Sequence, residues 1–257
     1  MILGALLDAG LDLSLLEAEI AKLRLGGYEL RKETKKKNGI AGTQVVVKIA
    51  QPNHHHRNIS DIRNIINNSD LSLAVKERSL LIFKRLAEAE AKVHQISLEE
   101  VHFHEVGALD AIIDVVGAVA GLEALGIEKV FCSPLHVGTG LVDCAHSTLP
   151  VPAPATAELI KGYPVYSTGL KGELLTPTGA AILTSIAVGF GPMPFMTPRA
   201  IGYGVGAADL EIPNLLRLFI GEAGQTEEGL DCRNVVGGLG HGPHSHGHGC
   251  HSHEGEE

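Results

Sequence analysis

The chain has 257 residues, of which 44% are hydrophobic and 4% aromatic, and it contains no tryptophan. This composition is sufficient for a core of aliphatic side chains, in one large domain or two small ones. The formal net charge of -9 argues against nucleic acid as the main partner, because phosphate binding requires a basic surface.

Residues 1–23 have the composition of a helix that begins at the first residue, which suggests that a preceding segment is missing. Two β-rich runs follow on either side of Asn38-Gly39, and this dipeptide predicts a tight hairpin. The apolar spacing then predicts helices over 60–67 and 72–94. For the segment that begins the first of them two interpretations stay open: a polar loop that caps the helix through Ser60, or one or two metal ligands from His54, His55 and His56, together with Asp61.

A long and very apolar stretch predicts a buried helix over 108–125. This stretch contains two aspartates and a glutamate, so it is a poor candidate for a membrane span. The remaining predicted elements are a strand over 129–137, a helix beginning near Pro154, a helix capped by Thr176 with Pro177 at its first position, and late strands within 199–209 and 212–222.

These elements predict an α+β fold in which helices pack on a mixed sheet. We expect one domain over 1–222, truncated at its start, and a flexible tail over 223–257 that is disordered without metal, because the tail is rich in Gly, Glu and His and poor in apolar residues. The four cysteines form no CxxC pair and follow no secretory signal, so free thiols in a reducing cytoplasm are expected.

The tail is a candidate metal-binding segment. Imidazole suits nickel, zinc and copper, and glycine spacing lets several rings reach one ion without fixing one geometry. We therefore expect storage or delivery of metal here rather than catalysis, which requires rigidly held ligands. The alternative is a low-complexity end without function. The histidines concerned are His241, His244, His246, His248, His251 and His253.

A sharper candidate site lies within "VHFHEVGALDAIID". In extended chain His102 and His104 share one side, Glu105 is adjacent, and Asp110 and Asp114 are one helical turn apart. A buried carboxylate is costly unless it is paired or bound to metal, so these residues could bind a metal and supply a base. Alternatively, they are ordinary core and capping residues.

The stretch "GELLTPTGAAIL" predicts a helix start suited to a phosphate or carboxylate. The hydroxyl of Thr176 and the amides of Thr178 and Gly179 would bind the anion, and Glu173 is a further candidate substrate-binding residue. An ordinary capped helix is the alternative. The alternating glycines of "GYGVG" would admit a flat ligand close to the backbone, or a tight turn.

Five stretches, taken together and in order, resemble the nickel-insertion proteins of lactate racemase maturation (the LarC family). The similarity covers about residues 1–222, and a His-rich segment follows in the family as well. The stretches are "HHHRNISDIR", "HFHEVGALDAIIDVVGAVAGLEALG", "LPVPAPATAELIKG", "GELLTPTGAAILTSIA" and "RAIGYGVGAADLEIPNLLRLFIGE".

The resemblance implies nickel insertion into pyridinium-3,5-bisthiocarboxylic acid mononucleotide, with consumption of CTP and with Mg²⁺ or Mn²⁺ as the ion that accompanies CTP. The product is a nickel-pincer cofactor for a lactate racemase-type enzyme, and the activity is that of a lyase-class cyclometallase. In the implied roles Glu105 and His104 are catalytic, and Ni²⁺ is bound by His102, His104, Asp110, Asp114 and the tail.

Three departures from the family pattern bear on this implication. Family members begin with a strand and a turn before "MILGALLDAG", have His-Gly where this chain has His146-Ser147, and continue into a second domain that carries most of the CTP site. The resemblance therefore implies a first half that is inactive alone and needs the C-terminal domain as a partner. The competing interpretation is a non-catalytic nickel-binding metallochaperone or store; a homo-oligomer stays open.

Overall fold

The computed structural model describes residues 1–50, 57–101, 103, 109–144 and 147–224. Helices and strands occur in comparable amounts, so the predicted α+β class is confirmed. The helices are α1 (Ile2–Asp8), α2 (Leu13–Ala21), α3 (Ile59–Asn67), α4 (Leu73–His94), α5 (Leu109–Ala124), α6 (Pro154–Leu159) and α7 (Pro177–Ile186), with one 3-10 turn at Leu98–Glu100.

The described part of the chain contains twelve strands. They are β1 (Tyr28–Lys37), β2 (Ile40–Ile49), β3 (Val130–Cys132), β4 (Leu135–His136), β5 (Gly138–Thr139), β6 (Leu141–Asp143), β7 (Thr148–Pro150), β8 (Val165–Tyr166), β9 (Gly172–Glu173), β10 (Ala187–Phe190), β11 (Met196–Val205) and β12 (Leu215–Ala223).

The main sheet has the strand order β1-β2-β11-β12. Antiparallel pairing joins β1 to β2 and β11 to β12, whereas β2 and β11 are parallel and meet at Thr43 and Gly204. The sheet is therefore mixed, as predicted. The short strands form four separate pairs: β10 with β3 and β4 with β8 are parallel, and β5 with β9 and β6 with β7 are antiparallel.

The predicted hairpin is confirmed, and its turn follows from two residues. Asn38 and Gly39 adopt φ angles of 48° and 85°. A two-residue turn with both central residues at positive φ matches the twist of the flanking strands, and Asn followed by Gly tolerates that conformation best. The hairpin pairs ten residues on each strand without a register shift.

Helix α5 lies at the centre of the hydrophobic core. Twelve of its sixteen residues are buried, and it packs against α1, α2, α4 and α7. The burial predicted from its apolar composition is confirmed. None of the helices in the described ranges is both long and apolar enough to cross a membrane.

Helix α1 covers the main sheet at very close range, and glycines of β11 make this possible. A Cβ built on Gly202 would lie 2.7 Å from the backbone nitrogen of Ala9, and one on Gly204 would lie 2.8 Å from that of Ala5. The glycines of "GYGVG" thus admit a helix, rather than the flat ligand or tight turn considered from the sequence.

Asp8, at the end of α1, joins the two strands that meet in the middle of the sheet. Its Oδ1 accepts a hydrogen bond from the Thr43 hydroxyl at 2.8 Å, and its Oδ2 accepts one from the Tyr203 amide at 2.8 Å. Because β2 and β11 share one residue pair in the ladder, this carboxylate supplies bonds between them that the backbone does not.

Two predictions about helix starts are wrong. Residues 1–23 form two helices instead of one, because the chain turns at Gly10 (φ 115°) and Asp12 caps α2 by accepting from the Ser14 amide at 2.7 Å. Helix α3 is capped by Asn58 instead of Ser60, in a reciprocal pair with Asp61.

The strand predicted over 129–137 is also different from the prediction. It is two short strands, β3 and β4, which pair with β10 and β8 in separate sheets. Pro134 lies between them and has no amide hydrogen to donate to a ladder.

Candidate functional site

One stripe of α5 faces the first two helices. A Cβ on Gly117 would lie 3.0 Å from Leu3, and a Cβ on Gly121 would lie 3.0 Å from both Leu6 and Leu11. Asp114 precedes Gly117 by three positions and therefore lies on the same stripe. The predicted arrangement of these residues on one face is confirmed, and the face is directed towards the beginning of the chain.

Asp114 is only partly exposed, and its electrostatic surroundings are unusual for a carboxylate. Burial raises the pKa of the Asp114 carboxyl, and the nearby carboxylate of Asp110 raises it further. Both effects destabilise the charged form of Asp114.

Asp110 lies one turn earlier on α5, at its exposed amino-terminal end. Its Oδ1 accepts a hydrogen bond from the Ala111 amide at 2.9 Å, and an acidic residue in the first turn is favoured by the helix dipole. The two carboxylates therefore form an acidic end of α5. A divalent cation there would relieve both their mutual repulsion and the cost of burying Asp114.

Two described residues that precede α5 in the chain are apolar and lie in the core. Val101 and Phe103 are buried, with Phe103 2% exposed, and the Phe103 amide donates to the Arg57 carbonyl at 3.2 Å. The predicted site residues His102, His104 and Glu105 lie outside the described residues, so their convergence with the aspartates stays a prediction.

The tail histidines also lie outside the described ranges: His241, His244, His246, His248, His251 and His253. Among the residues that the structure describes, no three His, Cys, Asp or Glu side chains come together as a metal site would require. Burial raises the pKa of the Cys132 thiol, which disfavours the thiolate that binds metals.

The start of α7 has the predicted cap. The Gly179 amide donates to the Thr176 hydroxyl at 3.2 Å, and the Ala180 amide donates to the Thr176 carbonyl at 2.9 Å. One expectation needs correction, because the Gly179 amide is already occupied by the cap. Pro177 has no amide hydrogen, so Thr178 supplies the amide that the helix itself leaves without a partner.

Glu173 lies close to this helix start along the chain. It is half-buried on β9, where it faces Gly138 of β5, and it lies three positions before the cap at Thr176. The β5–β9 pair thus connects the candidate anion site to the strand that follows His136.

Sequence reasoning did not find the stacked pair of aromatic rings that His136 on β4 and Tyr166 on β8 form. The rings of His136 and Tyr166 are stacked, with centroids 4.5 Å apart and planes 7° from parallel. They meet because β4 and β8 pair in parallel with these residues opposite each other. Both strands have two residues, too few for a periodic signal in the sequence.

The features together define an α+β protein that combines an acidic helix end with a capped helix start suited to an anion. Comparison with known proteins gives the family. The chain belongs to the nickel insertion protein family, whose sequence model matches residues 1–236.

Two relatives from Desulfitobacterium hafniense are named pyridinium-3,5-bisthiocarboxylic acid mononucleotide nickel insertion protein. The chain is 56% identical over 231 residues to that of strain DSM 10664 / DCB-2 and 55% identical over 231 residues to that of strain Y51. Each match covers 90% of this chain and 57% of the relative. The chain therefore spans little more than half the length of these relatives.

A third relative, from Dictyoglomus thermophilum, is 46% identical over 236 residues, which make up 92% of this chain and 60% of the relative. No solved structure matches the chain.

Proposed function

We propose that this chain is the first part of a nickel insertase that acts on pyridinium-3,5-bisthiocarboxylic acid mononucleotide. The observation that carries the proposal is the 56% identity, over 90% of the chain, to a protein of that name. Identity at this level across one continuous match supports a common substrate as well as a common fold.

The reaction replaces a ring hydrogen by nickel. Ni²⁺ bonds to the two thiocarboxylate sulfurs and to the ring carbon between the two substituents, and the carbon–hydrogen bond breaks. The proton passes to a base, for which Glu105 and His104 are the candidates. The metal enters as a substrate and leaves in the product, so its ligands must hold it only transiently.

The acidic end of α5 supports a role for Asp110 and Asp114 as ligands of the incoming ion, together with His102 and His104. Nickel accepts imidazole and carboxylate ligands. A partly buried aspartate whose charged form is destabilised gains most from a bound cation. The tail histidines would collect Ni²⁺ and raise its local concentration.

The mononucleotide phosphate is assigned to the start of α7. There the Thr178 amide and the helix dipole favour an anion, and the fixed Thr176 cap keeps the first turn in place. We assign Glu173 to the ribose or the ring, since it lies on the short strand β9, three positions before the cap of that helix.

Further elements of the proposal concern the complete protein and the organisation of this chain. For the complete protein we propose consumption of CTP with Mg²⁺ or Mn²⁺, a lyase-class activity and transfer of the product to a lactate racemase-type enzyme. For this chain we propose a domain over 1–222 followed by a tail, and a location in the cytoplasm. The C-terminal part of the relatives is proposed to supply most of the CTP site.

The test mixes the purified chain with Ni²⁺, CTP and the mononucleotide, with and without a polypeptide that corresponds to the C-terminal part of a relative. Mass spectrometry would detect the nickel adduct. The half-enzyme proposal expects the adduct in the complete mixture, abolished by Glu105→Gln or His104→Gln and much reduced by Asp114→Asn. Glu77→Gln, an exposed residue on α4, is the control carboxylate and should leave the yield unchanged.

The alternative function is a non-catalytic nickel store or metallochaperone, which the His-rich run favours. Absence of adduct in both mixtures, with several nickel ions still bound per chain, would support it. Truncation after Glu222 separates the two roles, because it should lower the nickel stoichiometry without weakening mononucleotide binding. Loss of mononucleotide binding on truncation would contradict this division.

A further inference from the structure

The His136–Tyr166 stack lies at the surface instead of in the core. Tyr166 is 47% exposed, and the imidazole covers one face of its ring. The exposed part of the phenol therefore belongs to the rest of the ring, away from the imidazole. Stacked aromatic rings are normally placed where both can be buried, so an accessible ring face here calls for an explanation.

The stack is held in place by a network of hydrogen bonds from the loop after β8. His136 Nε2 lies 3.3 Å from the Thr168 amide and 3.0 Å from the Thr168 hydroxyl. The Ser167 hydroxyl donates to the Gly138 carbonyl at 3.0 Å, and the Thr139 hydroxyl lies 3.1 Å from the Leu170 carbonyl. A ring supported in this way loses little conformational entropy when a ligand binds.

The Thr168 amide donates to Nε2 of His136 at 3.3 Å, and this bond helps to hold the imidazole parallel to the Tyr166 ring. The pair thus presents an electron-rich phenol supported by a second ring. Such a surface attracts a flat cation through the quadrupole of the phenol.

The position of the stack relative to the proposed phosphate site is set by two strand pairs. His136 on β4 pairs with Tyr166 on β8. Gly138, two residues after His136, pairs with Glu173 on β9, and Glu173 lies three positions before the cap of α7. The Leu174 amide also donates to the Val137 carbonyl at 3.5 Å. The ring face, Glu173 and the helix start therefore follow one another along connected backbone.

We propose that the outer face of Tyr166, supported by His136, stacks on the pyridinium ring of the mononucleotide and positions it for metallation. The inference rests on the proposed function, because the pyridinium is the substrate's ring. Tyr166 is a positioning residue in this scheme, whereas the transfer of the ring proton belongs to other side chains.

Isothermal titration calorimetry with the bisthiocarboxylated mononucleotide tests the proposal on the full chain. Tyr166→Leu should weaken binding about tenfold, the size expected for loss of one cation–π and stacking contact. Tyr166→Phe keeps the ring and should stay within about twofold of the parent. Phe195→Leu, which removes another exposed aromatic ring, is the matched control and should bind like the parent.

A second probe pair separates stacking from a general structural role. Nicotinamide mononucleotide has a cationic aromatic ring, and its reduced form has a neutral, non-aromatic ring with the same ribose and phosphate. The parent should prefer the oxidised form, and Tyr166→Leu should lose that preference. Unfolding by urea, followed by circular dichroism, should be the same for both proteins.

The outcomes separate the two claims. If the parent binds the bisthiocarboxylated mononucleotide and Tyr166→Leu binds it equally well, the stacking inference is overturned and the proposed function stands. A parent protein that does not bind this mononucleotide at all overturns the proposed substrate, and the inference with it.

Discussion

The close contact between α1 and the main sheet predicts that Gly204→Ala destabilises the protein strongly. The new methyl carbon would lie 2.8 Å from the backbone nitrogen of Ala5, and closer still to the carbonyl oxygen of Met1. Ordinary contacts of this kind begin at 3.4 Å, so the Ala5 contact alone requires α1 to move away by 0.6 Å, and the closer Met1 oxygen requires a larger movement.

The energetic cost has two parts. Overpacking of this kind typically costs about 1–3 kcal/mol of folding free energy. Where the movement of α1 opens a gap of about 0.5–1 Å between packed apolar atoms, each van der Waals contact across that gap loses roughly a quarter to a half of its energy. The bonds from Asp8 to Thr43 and Tyr203 would also lengthen from 2.8 Å towards the limit for a hydrogen bond. After a gain of about 0.5–1 kcal/mol from removing a strand glycine, we expect a net loss of about 2–4 kcal/mol.

Urea unfolding monitored by circular dichroism measures this loss as a lower midpoint at unchanged slope. Gly26→Ala is the matched control, because Gly26 is exposed and a Cβ there has no neighbour within 4 Å; its effect should stay within about 0.5 kcal/mol. A Gly204→Ala variant as stable as the control would refute the argument that the glycine is required by helix contact.

Three other predictions concern charge, capping and helix packing. Burial raises the pKa of Asp114 above its ordinary 3.8, so the folded parent protein loses stability as the pH rises from 3.8 through the folded-state pKa of this carboxyl. The Asp114→Asn variant lacks this titration and should gain stability relative to the parent over that pH range. Urea unfolding at successive pH values measures the difference, and a difference that does not change with pH would contradict the prediction. Thr176→Ala should cost about 1 kcal/mol through loss of the cap of α7, measured by thermal unfolding, and an unchanged midpoint would argue against the cap. Arg85→Met removes hydrogen bonds of 2.5 Å to the Thr184 carbonyl and 3.2 Å to the Tyr163 hydroxyl, which should lower the free energy of unfolding by about 1–3 kcal/mol. Lys84→Met is the control: it removes one partner of an exposed ion pair and should lower the free energy of unfolding by less than half of that amount.

Those parts of the fold that depend on local chemistry could be predicted from the sequence. The turn at Asn38-Gly39, the apolar helix α5 and the Thr176 cap each depend on residues within a few positions of each other. The break in 1–23 was missed although its signals are local, since Gly10 and Asp12 are a helix stop followed by a cap. The residues before Gly10 and after Asp12 both have high helix propensity, and this pattern is typical of one continuous helix.

Features that depend on distant partners could not be predicted. The glycines of β11 are explained by α1, which lies about 200 residues earlier in the chain, and no pattern within "GYGVG" reveals that partner. The stack of His136 on Tyr166 likewise depends on a parallel pair of two-residue strands. Of the candidate site, the arrangement of Asp114 on the glycine stripe and the Thr176 cap are confirmed, whereas convergence on His102, His104 and Glu105 stays a prediction.

The strand order β1-β2-β11-β12 has a consequence for how the protein is made. Strand β2 ends at Ile49 and β11 begins at Met196, so about 150 residues must be synthesised in between, which takes roughly 7–30 s at ribosomal speed. During that time the edge of β2 that later pairs with β11 has no partner, and α1 lacks the strand whose glycines receive it. An unpaired strand edge can pair with another chain, so the edge of β2 is exposed to aggregation until translation reaches the last two strands.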